Sequence, residues 1–118
     1  MGAFAFVDLF DKDRKPPLRV KALISMLRTE DGGRRNGIRS GYRPNHNFGP
    51  PDGRRFYIGQ VDFEGGGTIE PGESLEALVT FLSGPGLKDV LVPGRLWRIQ
   101  EGPKLVATGT VNEVLGDI

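Results

Sequence analysis

Arginine is the residue type whose spacing in this sequence could do chemistry. Seven arginines lie between residues 28 and 55, where only three carboxylates accompany them, and the local charge is +4. Residues 56–118 carry a net charge of −5. Such a split can steer an anionic partner toward one face of the molecule, although arginines in solvated loops give the same pattern. The seven residues are Arg28, Arg34, Arg35, Arg39, Arg43, Arg54 and Arg55.

Groups that make or break bonds are scarce. His46 is the one histidine and there is no cysteine, which excludes a cluster of histidine or thiolate metal ligands and a two-histidine relay. We expect His46 to be an exposed or edge-strand imidazole. Gly65-Gly66-Gly67 lacks the lysine and the helix of a phosphate-binding loop, so it predicts a turn. The sequence therefore predicts no enzymatic activity, no cofactor and no metal.

Composition indicates one all-β domain. The chain has 118 residues with 18 glycines and 9 prolines, a turn-rich balance that is typical of many short strands. With 26% charged and 37% hydrophobic residues it suits neither a disordered tail nor a membrane protein. Met1–Phe10 is apolar but lacks a basic leader and contains Asp8, so we expect no signal peptide and a cytoplasmic location.

Turn residues divide the chain into short extended runs. Pro16-Pro17 predicts a stiff boundary, so residues 1–17 are assigned to an N-terminal tail and residues 18–118 to the domain. No run keeps a helical period beyond two turns, and six strands at this spacing favour a barrel or a sandwich. The predicted strands are Val20–Arg28, Gly41–Phe48, Arg55–Phe63, Leu75–Leu82, Arg95–Glu101 and Lys104–Leu115.

Two of these strands carry apolar residues on both faces, whereas the outer face of a solvated barrel should be polar. Something is therefore expected to cover the outer wall: the N-terminal tail, a second copy, a protein partner, or the barrel's own loops. The candidate protein-interface residues are Leu23, Leu27, Leu78 and Leu82.

Several short motifs resemble the third, C-terminal domain of elongation factor Tu in order and spacing. They are Glu30-Asp-Gly-Gly-Arg34, Ser40-Gly-Tyr-Arg-Pro44, Pro71-Gly72-Glu73, Trp97–Gly102, Val106–Thr110 and Val114-Leu115-Gly116. The resemblance covers about residues 18–116. It implies a six-stranded antiparallel Greek-key closed β-barrel, in which we expect Trp97, at a family phenylalanine position, to fill the core.

The resemblance also implies a binding function. In the full factor this domain helps to grip the T-stem backbone of aminoacyl-tRNA, contacts the nucleotide-exchange factor and packs against the GTPase domain. This chain contains no Walker loop, so GTP binding is not carried over. By resemblance, Asn45, Glu101 and Lys104 occupy tRNA-facing positions. Together with the arginines, the candidate RNA-binding residues are Arg34, Arg35, Arg39, Arg43, Asn45, Arg54, Glu101 and Lys104.

Three functions follow as hypotheses. The first is a stand-alone, non-catalytic binding module that docks to a protein partner, or to a second copy, through the barrel surface. The second is binding of a tRNA or other RNA backbone through the arginine-rich side, with affinity that falls steeply with salt. The third is an accessory or decoy protein that mimics elongation factor Tu in a regulatory or immunity setting.

Overall fold

A computed structural model describes residues 16–117, and eight strands account for about half of them. The one α-helix in this range is a single turn, α1 (Leu87–Val90), and two 3₁₀ turns cover Thr29–Asp31 and Glu64–Gly66. The strands are β1 Leu18–Met26, β2 Ile38–Arg39, β3 Asn45–Asn47, β4 Tyr57–Asp62, β5 Thr68–Ile69, β6 Ser74–Phe81, β7 Leu96–Glu101 and β8 Lys104–Asp117.

Six of the strands close into an antiparallel barrel, in the order β1-β6-β4-β3-β7-β8 and back to β1. The remaining two, β2 and β5, pair with each other as a small separate ribbon. The all-β class and the six-stranded closed barrel predicted from the sequence are confirmed, and the sandwich alternative is excluded. Because the barrel is closed, each of its strands has a partner on both sides over at least part of its length, which leaves little exposed sheet edge.

Alternation along each strand fills the interior. Val20, Ala22 and Ile24 of β1 point inward and are fully buried. Trp97 is 2% exposed and stacks on Phe48 with ring centroids 5.2 Å apart, so the expected core role of Trp97 is confirmed. β8 passes close beneath the indole at a glycine. A Cβ added at Gly109 would lie 2.5 Å from the Trp97 ring, so only glycine fits there.

The expectation that His46 is exposed or on an edge strand is wrong. The ring is fully buried inside the barrel, where Trp97 Nε1 donates to its Nδ1 at 3.0 Å and its Nε2 lies 3.2 Å from the carbonyl oxygen of Gly59. The physical reason is closure, since β3 is flanked by β4 on one side and β7 on the other. Burial lowers the pKa of His46 to about 4, so the imidazole is neutral.

Residues 1–15 lie outside the described part of the chain. The predicted tail, including Met1–Phe10, therefore falls almost entirely there, and the boundary after Pro17 stays a prediction. β1 begins at Leu18. Within residues 16–117 no helix is long and apolar enough to cross a membrane.

Candidate functional site

The Gly-Gly-Arg loop after β1 is tightly built. Gly32 adopts a left-handed conformation with φ of 98°, which favours glycine. A Cβ added at Gly33 would lie 2.5 Å from the carbonyl oxygen of Leu27. The Gly33 N–H instead donates to the Arg28 carbonyl at 3.1 Å. This close approach turns the chain back and directs Arg34 toward the β7–β8 hairpin.

Arg34, Tyr42 and Glu101 form the charged centre of this end of the barrel. The guanidinium of Arg34 and the hydroxyl of Tyr42 both donate to the same carboxylate oxygen, Oε2 of Glu101. The guanidinium carbon also lies 5.4 Å from the Tyr42 ring centroid, within cation–π range. The Gly-Gly-Arg loop and the Gly-Tyr-Arg-Pro segment are thereby tied to the β7–β8 hairpin, which is distant from both in sequence, and Arg34 is held in one orientation.

These contacts set the protonation states. Burial alone would raise the pKa of Glu101, but the hydrogen bonds from Tyr42 and Arg34 outweigh it and hold the pKa below its usual value. Burial and the hydrogen bond to Glu101 both raise the pKa of the Tyr42 phenol. At neutral pH the cluster therefore contains a carboxylate, a guanidinium and a neutral phenol.

A second series of side-chain hydrogen bonds holds Arg43 in place. Its Nε donates to Oε1 of the buried Gln60 at 2.7 Å, and Gln60 Nε2 in turn donates to the Asp62 carboxylate at 3.0 Å. The backbone beside it is also held, since the Val61 N–H donates to the Tyr42 carbonyl at 2.8 Å. Arg43 thus connects the Gly-Tyr-Arg-Pro segment to β4 while its side chain stays exposed to solvent.

The candidate RNA-binding residues do not all converge. Arg34, Glu101 and Lys104 meet at the β7–β8 hairpin, where Glu101 and Lys104 are opposite each other in the strand register. Asn45 lies next to them on β3, opposite Gln100. Three of the remaining candidates are exposed and form no ion pair within residues 16–117. They are Arg35 in the loop, Arg39 on β2 and Arg54 between β3 and β4.

The outer wall carries an apolar belt across four neighbouring strands, defined here as Leu78, Leu23, Thr110 and Leu96. Thr110 pairs with Leu23 on one side and with Leu96 on the other, so these three side chains stand on the same face. Leu78 lies diagonally from Leu23, whose direct partner on β6 is Glu76. Leu23 is 39% exposed and Leu96 is 60% exposed. Adjacent strands are about 4.8 Å apart, so the belt reaches about 10 Å from Leu23 to Leu96.

The predicted leucine patch is therefore divided. Leu23 and Leu78 belong to the belt, whereas Leu27 follows the end of β1 and its N–H donates to the Val106 carbonyl. Leu82 follows the far end of β6, where its N–H donates to the Ile58 carbonyl. Sequence reasoning missed Leu96, although its alternation with the inward Trp97 and Ile99 was a usable signal.

Comparison with known proteins decides the family. No family model matches the chain. Elongation factor Tu 2 of Streptomyces avermitilis is 31% identical over 99 residues, which cover 84% of this chain and 23% of that protein. Residues 18–117 of the chain close into a six-stranded antiparallel barrel. The chain is a barrel domain of the elongation factor Tu C-terminal type.

In this elongation factor Tu-type barrel, the motifs on which the resemblance rests have structural roles. The Gly-Gly-Arg loop supplies Arg34, the Gly-Tyr-Arg-Pro segment supplies Tyr42, and the final hairpin supplies the Glu101 that both contact. The aligned stretch spans less than a quarter of the relative's length. The chain is thus related to a translation factor through one barrel domain.

Proposed function

We propose that this barrel is a non-catalytic, translation-factor-like module that docks to a protein partner through the apolar belt. The observation that carries the proposal is the placement of Leu23 and Leu96 on either side of Thr110 on the outer wall, which exposes two large aliphatic side chains on one face. Single exposed leucines are ordinary, but two of them on one face, with only a threonine between them, form the kind of apolar patch that is a feature of interaction sites. In this role the chain works in the cytoplasm.

The belt alone is smaller than a stable interface, which buries about 800 Å² on each partner. It supplies the apolar centre of such an interface, and charged side chains around it supply the rim. Lys21 and Glu76 flank Leu23 and Leu78 on β1 and β6 and meet this description. Truncating a belt leucine should therefore weaken binding far more than truncating an equally exposed residue elsewhere.

Affinity capture from native cell lysate, with and without nuclease, tests the proposal. Leu96→Ser and Leu23→Ser should each lose the captured protein, and nuclease should not matter. Ile58→Ser is the matched control, because Ile58 is 55% exposed and lies off the belt on β4. All three side chains are exposed, so each variant should change the free energy of unfolding by no more than about 0.5 kcal/mol. Equal capture by the belt variants and the control would refute the proposal.

RNA backbone binding is the second candidate, and one observation favours it. Arg34 is held rigidly by Glu101 and Tyr42, and beside it in sequence Arg35 is exposed, as is Arg39 on β2. Arg34, fixed in this way, loses little side-chain freedom on meeting a phosphate. Asn45 and Lys104 lie on the strands that lead into the same end of the barrel.

Titration of tRNA against the purified barrel tests this candidate. For about four phosphate contacts, affinity should fall on the order of a hundredfold between about 50 and 200 mM salt. The double variant Arg35→Gln, Arg39→Gln should reduce that salt dependence, whereas Lys88→Gln in α1 should leave it unchanged. A salt-independent affinity, or no binding at low salt, would exclude RNA as the ligand.

A further inference from the structure

We propose that a groove beside the belt receives a lysine or arginine side chain from the docked partner. This inference rests on the proposed docking function and names the chemistry of the partner segment. The groove lies over β6, has a volume of about 300 Å³ and includes Leu78, which also belongs to the belt. A segment that covers the belt can therefore continue directly into the groove.

The groove exists because β4 ends early. β4 pairs with β6 only as far as Asp62 opposite Leu78, whereas β6 pairs with β1 as far as Ser74. Beyond Asp62 the chain leaves the wall in the 3₁₀ turn Glu64–Gly66. The space left beside β6 has an apolar floor that includes Phe63 and Leu78.

The rim of the groove is acidic. Asp62, Glu64 and Glu76 surround the floor, and among residues 16–117 Lys21 is the one cation that lines it. Lys21 forms no ion pair within residues 16–117. Asp62 accepts hydrogen bonds from Gln60, and Glu76 accepts one from Asn112 at 3.2 Å, so both carboxylates are held in place by neutral donors. The rim thus keeps a net negative charge.

An apolar floor with a negative rim fits a long cationic side chain. Lysine and arginine lay their methylene stems on apolar surface while the charged head reaches polar groups at the edge. An acidic segment would meet three carboxylates at close range and be repelled. A purely aliphatic side chain would leave the negative charge of the carboxylates uncompensated. Charge complementarity therefore selects a basic residue flanked by apolar ones.

Binding of a defined peptide tests the inference by NMR on the isotopically labelled chain. The probe is acetyl-leucyl-arginyl-leucinamide, and its neutral control is the same peptide with citrulline, which keeps the shape of arginine without the charge. The arginine peptide should shift the amide signals of Asp62, Phe63 and Leu78 and should bind at least about fivefold more tightly than the citrulline peptide. Equal affinities would overturn the assignment, and so would shifts confined to other parts of the barrel.

Charge variants sharpen the test in both directions. Glu76→Gln should weaken the arginine peptide about two- to fivefold, whereas Lys21→Gln should strengthen it by a similar factor. Asp89→Asn removes an exposed carboxylate from α1, outside the groove, and should have no effect. No change in either groove variant would overturn the assignment. If the protein alone showed the same shifts as its own concentration rises, the occupant would be a second copy and the assignment to a partner would fall.

The groove and the belt can fail separately. If the peptide leaves the groove signals unmoved while Leu96→Ser still loses its captured protein, the groove assignment fails and the docking proposal stands. If the peptide binds the groove as expected while Leu96→Ser captures normally, the belt proposal fails and the groove remains supported as a site for a cationic side chain.

Discussion

Trp97 and His46 are joined by a 3.0 Å hydrogen bond from the indole Nε1 to the imidazole Nδ1 inside the barrel. An indole nitrogen only donates, so Nδ1 accepts and the proton of the neutral ring lies on Nε2. That Nε2–H points to the Gly59 carbonyl oxygen, 3.2 Å away. One buried ring thus links β3 to β7 and to β4, and the link requires that the ring stay neutral.

The buried His46 predicts a loss of stability in mild acid. Its pKa is about 4 in the folded chain against 6.5 for an unperturbed histidine, so between these values the unfolded state binds more protons. Stability should be fully present above pH 6.5 and should fall as the pH drops toward 4. From about pH 7.5 to about pH 5 the free energy of unfolding should fall by about 2 kcal/mol from this group alone.

Urea unfolding of the natural chain and of His46→Gln at several pH values checks this prediction. Carboxylates also titrate in acid, so the relevant quantity is the difference in pH dependence between the two proteins. The natural chain should show the steeper loss between pH 6.5 and 4. Parallel curves would show that His46 titrates alike in the folded and unfolded states.

Gly109 predicts a coupled packing effect. Gly109→Ala would bring a methyl group to 2.5 Å from the Trp97 ring, so overpacking should cost about 1–3 kcal/mol of stability. In a Trp97→Phe background the smaller ring leaves room, and the same substitution should cost clearly less. Thermal or urea unfolding of the four proteins measures the coupling. Equal costs in both backgrounds would contradict the contact.

The shared acceptor predicts that Tyr42 and Glu101 are coupled. Tyr42→Phe removes a hydrogen bond to a partly exposed carboxylate, which should cost about 1–2 kcal/mol. In a Glu101→Gln background the acceptor has lost its charge, so the cost of Tyr42→Phe should fall by about half. Chemical unfolding of the natural chain, the two single variants and the double variant gives the coupling energy. A value near zero would mean that the phenol does not stabilise the loop through Glu101.

Much of the fold was predictable because strand alternation and turn chemistry are local. The six barrel strands were predicted close to their observed positions, and Trp97 was expected in the core. His46 was not, because Pro44 favoured an edge strand and nothing local indicated that the sheet closes around β3.

The candidate sites were harder to predict, since they depend on which strands become neighbours. Leu23 and Leu96 come onto one face because β1, which is distant in sequence from β7 and β8, pairs with β8 at Thr110. This placement also depends on two irregularities in the β1–β8 register, between Arg19 and Val20 and between Lys21 and Ala22. A one-residue slip would turn a different set of side chains outward. The motifs did bring Arg34 and Glu101 together as candidates, but not the shared contact with Tyr42.

Photocrosslinking from position 96 in living cells tests the central claim most directly. A benzoylphenylalanine in place of Leu96, and separately in place of Leu23, should give one discrete adduct with the same partner protein, while the same group at Ile58 should not. The adduct should persist after nuclease treatment and should be absent from a chain that also carries Leu78→Asp. Adducts that form equally from position 58, or only RNA adducts from positions 23 and 96, would contradict protein docking through the belt.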